Sequence, residues 1–194
     1  MSKQNCRIAA IQMVSGPRVA DNLMEAGRLI DDAVAQGAQL IVLPEYFPII
    51  GAVDVDRVRA CEPFGNGPIQ SWLAETARRH GIWLFAGSIP LTAAVPDKMR
   101  NSSLVFNPVG ECVARYDKIH LFGFHKGDEA YDEASFIEAG EAPVAVDTPF
   151  GKVALSICYD LRFPELYRAL APVDLILVPA AFTETTGRAH WEIL

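Results

Sequence analysis

The sequence predicts an α/β layer fold, on three observations. Short apolar runs of strand length alternate along the N-terminal half with longer segments whose apolar residues recur at helical spacing. Those runs are apolar at consecutive rather than alternate positions, as a sheet covered on both faces requires. The composition, 51% hydrophobic and 21% charged over 194 residues, supplies a core of ordinary globular size for one domain over residues 1–194.

Residues 7–14 read as a buried strand. Asp21 is placed to cap a helix whose apolar face is Leu23, Met24, Ala26, Leu29, Ile30, Ala33 and Val34, closed by Gly37. Residues 40–43 form a second buried strand. A helix over 69–80 follows, with Ile69, Trp72, Leu73 and Ala77 on one side and Gly81 at its end, and then a third buried strand over 82–86. The texture then turns to hairpins: 104–106 with 112–116 around Asn107, Pro108, Val109 and Gly110, and 144–146 with 153–157 around Pro149 to Lys152. Between them, 122–140 has little periodicity and reads as a long irregular segment, functional or disordered. Pro164 and Glu165 open a helix, 175–178 return as a buried strand, and 188–194 begin a last helix without a stop signal.

Several function classes drop out at this level. A net charge of −7 with no basic run repels phosphate backbones, which excludes nucleic acid as a partner. No apolar run approaches the roughly 20 residues of a membrane span. The first residues lack the features of a secretory signal, and Cys6, Cys61, Cys112 and Cys158 include no CxxC pair, so a cytoplasmic protein with free thiols is expected. His80, His120, His125 and His190 have no zinc-site spacing, and Gly123 with Gly127 lacks a phosphate loop's Gly-Lys-Ser/Thr ending, so no metal or cofactor is expected.

Three polar residues stand at expected strand ends, where α/β sheets collect ligands: Glu45, Lys118 and Cys158. Each alone has a bland explanation, as a solvated loop acid, a surface lysine and a buried small hydrophobe. Together they make a base, a fixed cation and a nucleophile, the set that acyl transfer from an amide requires. A thiol is only a few per cent ionised at neutrality, so a carboxylate must take its proton during attack. Lys118 and the backbone N–H of Tyr159 are candidates to hold the oxyanion, and the helix beyond Cys158 favours negative charge on sulfur. On that reading Cys158 should alkylate faster at pH 7 than Cys6 or Cys112. Tyr46, Phe47, Phe182 and Thr183 follow strand ends and are candidates to line a pocket or to pack in the core.

The segments LIVLPEYF, RYDKIHLF and SICYDLRFPELYR, with the opening RIAAIQM, resemble in that order the motifs of the nitrilase, or carbon-nitrogen hydrolase, superfamily. The resemblance implies an αββα sandwich with Glu45 as general base, Lys118 as oxyanion stabiliser and Cys158 as nucleophile. It also carries a further glutamate over to Glu133, ahead of the neighbours Glu129 and Glu138, as the residue that orients lysine and substrate. Around Cys158 the sequence is similar to the amidase branch that holds the deaminated glutathione amidases and ω-amidases, rather than to nitrilases with Cys-Trp-Glu. This implies a small carboxylate-bearing primary amide as substrate, no cofactor, and a homodimer or larger homo-oligomer. Arg162 is read as a salt-bridge partner of Asp160 or Glu165 rather than as a substrate ligand. The alternatives are an N-carbamoyl amino acid amidohydrolase and a non-catalytic member. Family members continue with further strands and a helix, so a domain truncated at its C-terminus is expected.

Overall fold

The computed structural model, which describes residues 5–126, 129–190 and 193, begins with the parallel βαβ pattern that the apolar runs predict. Strand β1 (Ile8–Ala10), helix α1 (Val19–Ala35) and strand β2 (Leu40–Val42) are followed by a short helix α2 (Asp54–Arg59), helix α3 (Pro68–His80) and strand β3 (Trp83–Phe85). Strands β4 (Ile89–Thr92), β5 (Met99–Phe106) and β6 (Cys112–Asp117) complete a six-stranded sheet, in which β1, β2 and β3 run parallel and β5 is antiparallel to β3, β4 and β6. A hairpin of β7 (Gly123–Lys126) and β8 (Glu129–Asp132) leads through a 3-10 turn at Glu133–Ser135 to β9 (Ala145–Thr148) and β10 (Gly151–Leu155). A 3-10 turn at Cys158–Arg162, helix α4 (Pro164–Leu170), strand β11 (Leu175–Leu177) and helix α5 (Glu184–His190) complete the order. Strands β9 and β11 flank β10 in a second, three-stranded sheet.

Successive side chains of a strand point to opposite faces, and here the two faces enter different cores. Ile41, Leu84, Leu104 and Phe106 pack under α1 and α3, against Ala26, Ile30, Ile69, Leu73 and Ala77. Their neighbours Leu40, Phe85 and Val105 point the other way and meet Val153, Leu155 and Leu177 of the second sheet. Ala154, between Val153 and Leu155, faces outward onto Leu166 and Leu170 of α4. The layers are therefore helix, sheet, sheet, helix: the αββα sandwich. A strand buried on both sides has no polar face, which is why its sequence runs apolar without alternation.

Some boundaries differ from the sequence reading. Helix α1 starts before Asp21, whose carboxylate lies in the first turn and accepts from Arg18 Nε at 2.6 Å rather than capping the helix. Within 122–140, residues 123–126 and 129–132 form two four-residue strands, too short to register as a pattern in sequence. Strand β4 contains Pro90 and lies at the sheet edge, where a missing donor is tolerated. Helix α5 starts ahead of residue 188, and Trp191, Glu192 and Leu194 lie outside the described residues. Among the described residues no helix is long and apolar enough to cross a membrane.

Candidate active site

Glu45 follows β2 through Leu43 and Pro44, Lys118 directly follows β6, and Cys158 follows β10, so three separate strands deliver them to one end of the sandwich. The approach of these chain segments depends on two glycines. A Cβ at Gly87, whose φ is +56°, would stand 2.0 Å from the Pro44 carbonyl oxygen, directly before Glu45. One at Gly140 would stand 2.1 Å from the Asp117 carbonyl oxygen, directly before Lys118. Only glycine allows either crossing.

Lys118 is buried at 1% exposure, with its ammonium between two carboxylates. Nζ donates to Glu45 Oε1 at 3.1 Å and to both oxygens of Glu133 at 2.9 and 2.8 Å. Glu45 also accepts from Asn101 Nδ2 at 3.0 Å and, on its other oxygen, from the Ala181 N–H at 2.9 Å. Glu133 accepts in addition from the Phe122 N–H at 2.7 Å and the Tyr46 hydroxyl at 3.4 Å. Burial opposes charge on Lys118, but Glu45 and Glu133 outweigh it and raise its pKa above the ordinary lysine range. Burial also pushes the Glu133 carboxyl up, against the pull of Lys118.

Cys158 and Tyr46 both have left-handed backbones, with φ of +48° and +54°. For side-chain-bearing residues this is a strained geometry, typical of functional turns. The Cys158 N–H is held by the Pro179 carbonyl at 2.9 Å, and the Tyr46 N–H by Ser88 Oγ at 3.0 Å, in a buried setting. Burial drives the Cys158 thiol well above its usual pKa, and Glu45 adds to the shift against Lys118. Burial thus favours the neutral thiol over the thiolate. All four residues line one cavity of about 230 Å³, walled by Tyr46, Phe136, Phe182 and Thr183, whereas Phe47 packs in the core against Trp72.

Residues 7–194 match the description of the carbon-nitrogen hydrolase family. The chain belongs to that family. It is 40% identical to the deaminated glutathione amidase of Yersinia enterocolitica over 98% of its own length and 68% of the relative's. It is 35% identical to Omega-amidase NIT2 of Danio rerio over 97% and 68%. Among solved structures, Saccharomyces cerevisiae Nit3, of the nitrilase superfamily, superposes with a TM-score of 0.82 at 30% identity, over 96% of this chain and 68% of that one. An amidase from Nesterenkonia gives 0.81 at 28% over 98% and 71%.

This carbon-nitrogen hydrolase is an amidase, and its site has a second layer that reading along the sequence did not find. Asp160, one of the two partners expected for Arg162, is fully buried. Its carboxylate accepts from the Tyr116 hydroxyl at 2.6 Å, the His120 N–H at 3.0 Å and the Ile157 N–H at 2.8 Å, with His120 Nδ1 at 2.7 Å. One carboxylate therefore ties both sides of Lys118 to the turn that carries Cys158. Its only sequence signal was its place two residues after the cysteine. Asp160→Asn is expected to lower stability by about 2–3 kcal/mol, read from the urea midpoint, because charge-assisted bonds are replaced and one donor is left facing an amide N–H₂.

The burial of Cys158 argues for the opposite order of labelling. Cys112 is exposed and Cys158 is not. Iodoacetamide at pH 7 is expected to modify Cys112 before Cys158, checked by peptide mass mapping over time.

Proposed function

We propose that this chain hydrolyses the C–N bond of a small carboxylate-bearing primary amide through a thioester on Cys158, releasing ammonia. The observation that carries this reading is Cys158 sharing one cavity with Glu45 and with a Lys118 ammonium held by Glu45 and Glu133. As sulfur attacks the amide carbon, the thiol proton passes to Glu45. Neutralised, Glu45 loosens its hold on Lys118, and a Nζ–H is released to meet the oxyanion that forms at the same moment. Glu133 keeps the ammonium in place through two contacts, and the Tyr159 N–H is the second oxyanion donor. Glu45 then protonates the departing nitrogen, ammonia leaves, and water activated by Glu45 cleaves the thioester. Every role is filled by a side chain or backbone group of this protein, so the scheme draws on no cofactor or metal.

The relatives named for deaminated glutathione and ω-amides support a substrate that carries a carboxylate as well as the amide. The four free cysteines favour a reducing compartment, and we place the protein in the cytoplasm. A homodimer or larger assembly rests on the family resemblance and is tested by sedimentation.

The test is ammonia release from α-ketoglutaramate, deaminated glutathione and an N-carbamoyl amino acid, with Cys158→Ala as control. Cysteine-dependent ammonia from either of the first two supports the reading. Carbon dioxide together with ammonia from the third alone would replace it with a carbamoyl hydrolase.

A further inference from the structure

Helix α2, which has no periodic signature in the sequence, brings a second cation to the cavity. Arg57 lines the same cavity as Cys158 and has 17% of its side chain exposed. Its guanidinium carbon stands 4.5 Å from the centre of the Tyr46 ring and 5.1 Å from that of Phe136, so two aromatic faces hold it. Its Nε–H is buried and finds no acceptor among the described residues. Its carboxylate partner is Asp54, which is 59% exposed and one helical turn away, a kind of pair that contributes little. Lys118, the other cation lining this cavity among the described residues, is already committed to Glu45 and Glu133.

A planar guanidinium fixed between rings, with a buried donor unmet, is preorganised for a planar anion that binds through two parallel hydrogen bonds. Tyr46 directly follows Glu45, and its hydroxyl reaches Glu133 Oε1 at 3.4 Å. The guanidinium thus lies one aromatic ring away from the carboxylates that hold Lys118. We infer that Arg57 is the specificity residue of this site, binding the carboxylate of a short dicarboxylic monoamide while the amide end meets Cys158. Such a substrate offers the guanidinium a planar anion and needs an acyl chain only long enough to pass the Tyr46 ring. The inference rests on the amidase reading above and adds to it the group that reads the substrate's far end.

The experiment compares glutaramate with pentanamide, which differ by a terminal carboxylate against a methyl group, on the whole chain and on its Arg57→Gln and Arg57→Lys variants. The ratio of kcat/KM for glutaramate over pentanamide is expected to fall roughly 10- to 100-fold in Arg57→Gln, chiefly through KM, and by less in Arg57→Lys, which keeps the charge and loses the fork. Glutarate binding, followed by calorimetry, is expected to weaken at least tenfold in Arg57→Gln, and Arg57→Lys serves if the glutamine variant does not fold. A ratio within twofold of the unmodified chain's in the folded variants, or glutarate affinity that ignores them, would overturn the assignment. Absence of turnover in the unmodified chain would instead sink the amidase reading, and the glutarate measurement would still decide Arg57.

Discussion

Cys158→Ala is expected to lower kcat for ammonia release by at least ~10⁴-fold, because it removes the only atom that forms the covalent intermediate. Thermal or urea unfolding should change little by comparison. The alanine keeps the Cβ, and the left-handed backbone at this position is imposed by neighbours, including the Pro179 carbonyl that holds the N–H. The contrast separates chemistry from structure: a folded, inert variant is the expected result, and a folded variant that still releases ammonia would remove Cys158 from the mechanism. Burst kinetics of the unmodified enzyme with an activated ester provide a second view, since a thioester that forms faster than it breaks gives one rapid equivalent per site.

Lys118→Met is expected to damage both fold and activity. Glu45 and Glu133 would be left as buried carboxylates facing each other without a cation, and breaking such a pair costs about 3–5 kcal/mol. Loss of the oxyanion contact lowers kcat by roughly 10²–10³-fold in addition. The pH dependence follows from the direction of each shift. Lys118 has its pKa raised in the folded state above 10.5, so its contribution to stability is whole below that pH and is lost as pH rises beyond it. Glu133 has its pKa raised above 4.5, so folding favours its protonated form, and its contribution is whole below pH 4.5 and declines as pH rises. In Lys118→Met that decline steepens, because the opposing ammonium is gone. The variant should therefore be relatively more stable at pH 5 than at pH 8. Adding Glu133→Gln should restore part of the stability without the activity. Urea midpoints at the two pH values check the first statement, and ammonia assays the second. A Lys118→Met protein as stable as the parent at pH 8 would show that the carboxylates do not depend on this cation.

Much of this architecture is legible because its causes are local. A run such as Leu40, Ile41 and Val42 has no polar face, so it demands cover on both sides. The layering of helix, sheet, sheet and helix answers that demand. Helix α3 is bounded by its own residues: Pro68 fits the first turn and Gly81 takes the left-handed conformation that ends it. Glu45, Lys118 and Cys158 were identifiable because each follows a recognisable strand inside a motif. Their meeting was an inference about space, since 73 positions separate Glu45 from Lys118.

What local pattern left open depends on distant contacts. The state of Cys158 is one case: the following helix turn argues for a thiolate, but burial and the Glu45 carboxylate argue more strongly for a thiol. Asp160 is another, because nothing near it in sequence points to the hydroxyl and imidazole that strand β6 and its following residues bring in. Arg57 is the clearest. Nothing in the short polar helix α2 marks it, and only packing between Tyr46 and Phe136 turns a surface-type residue into a wall of the cavity. Residue type and spacing along the chain settled the layers and singled out three candidate reactive groups. Charge state, second-layer hydrogen bonds and substrate contacts required the folded molecule, because desolvation and Coulomb interaction depend on neighbours that sequence distance does not reveal.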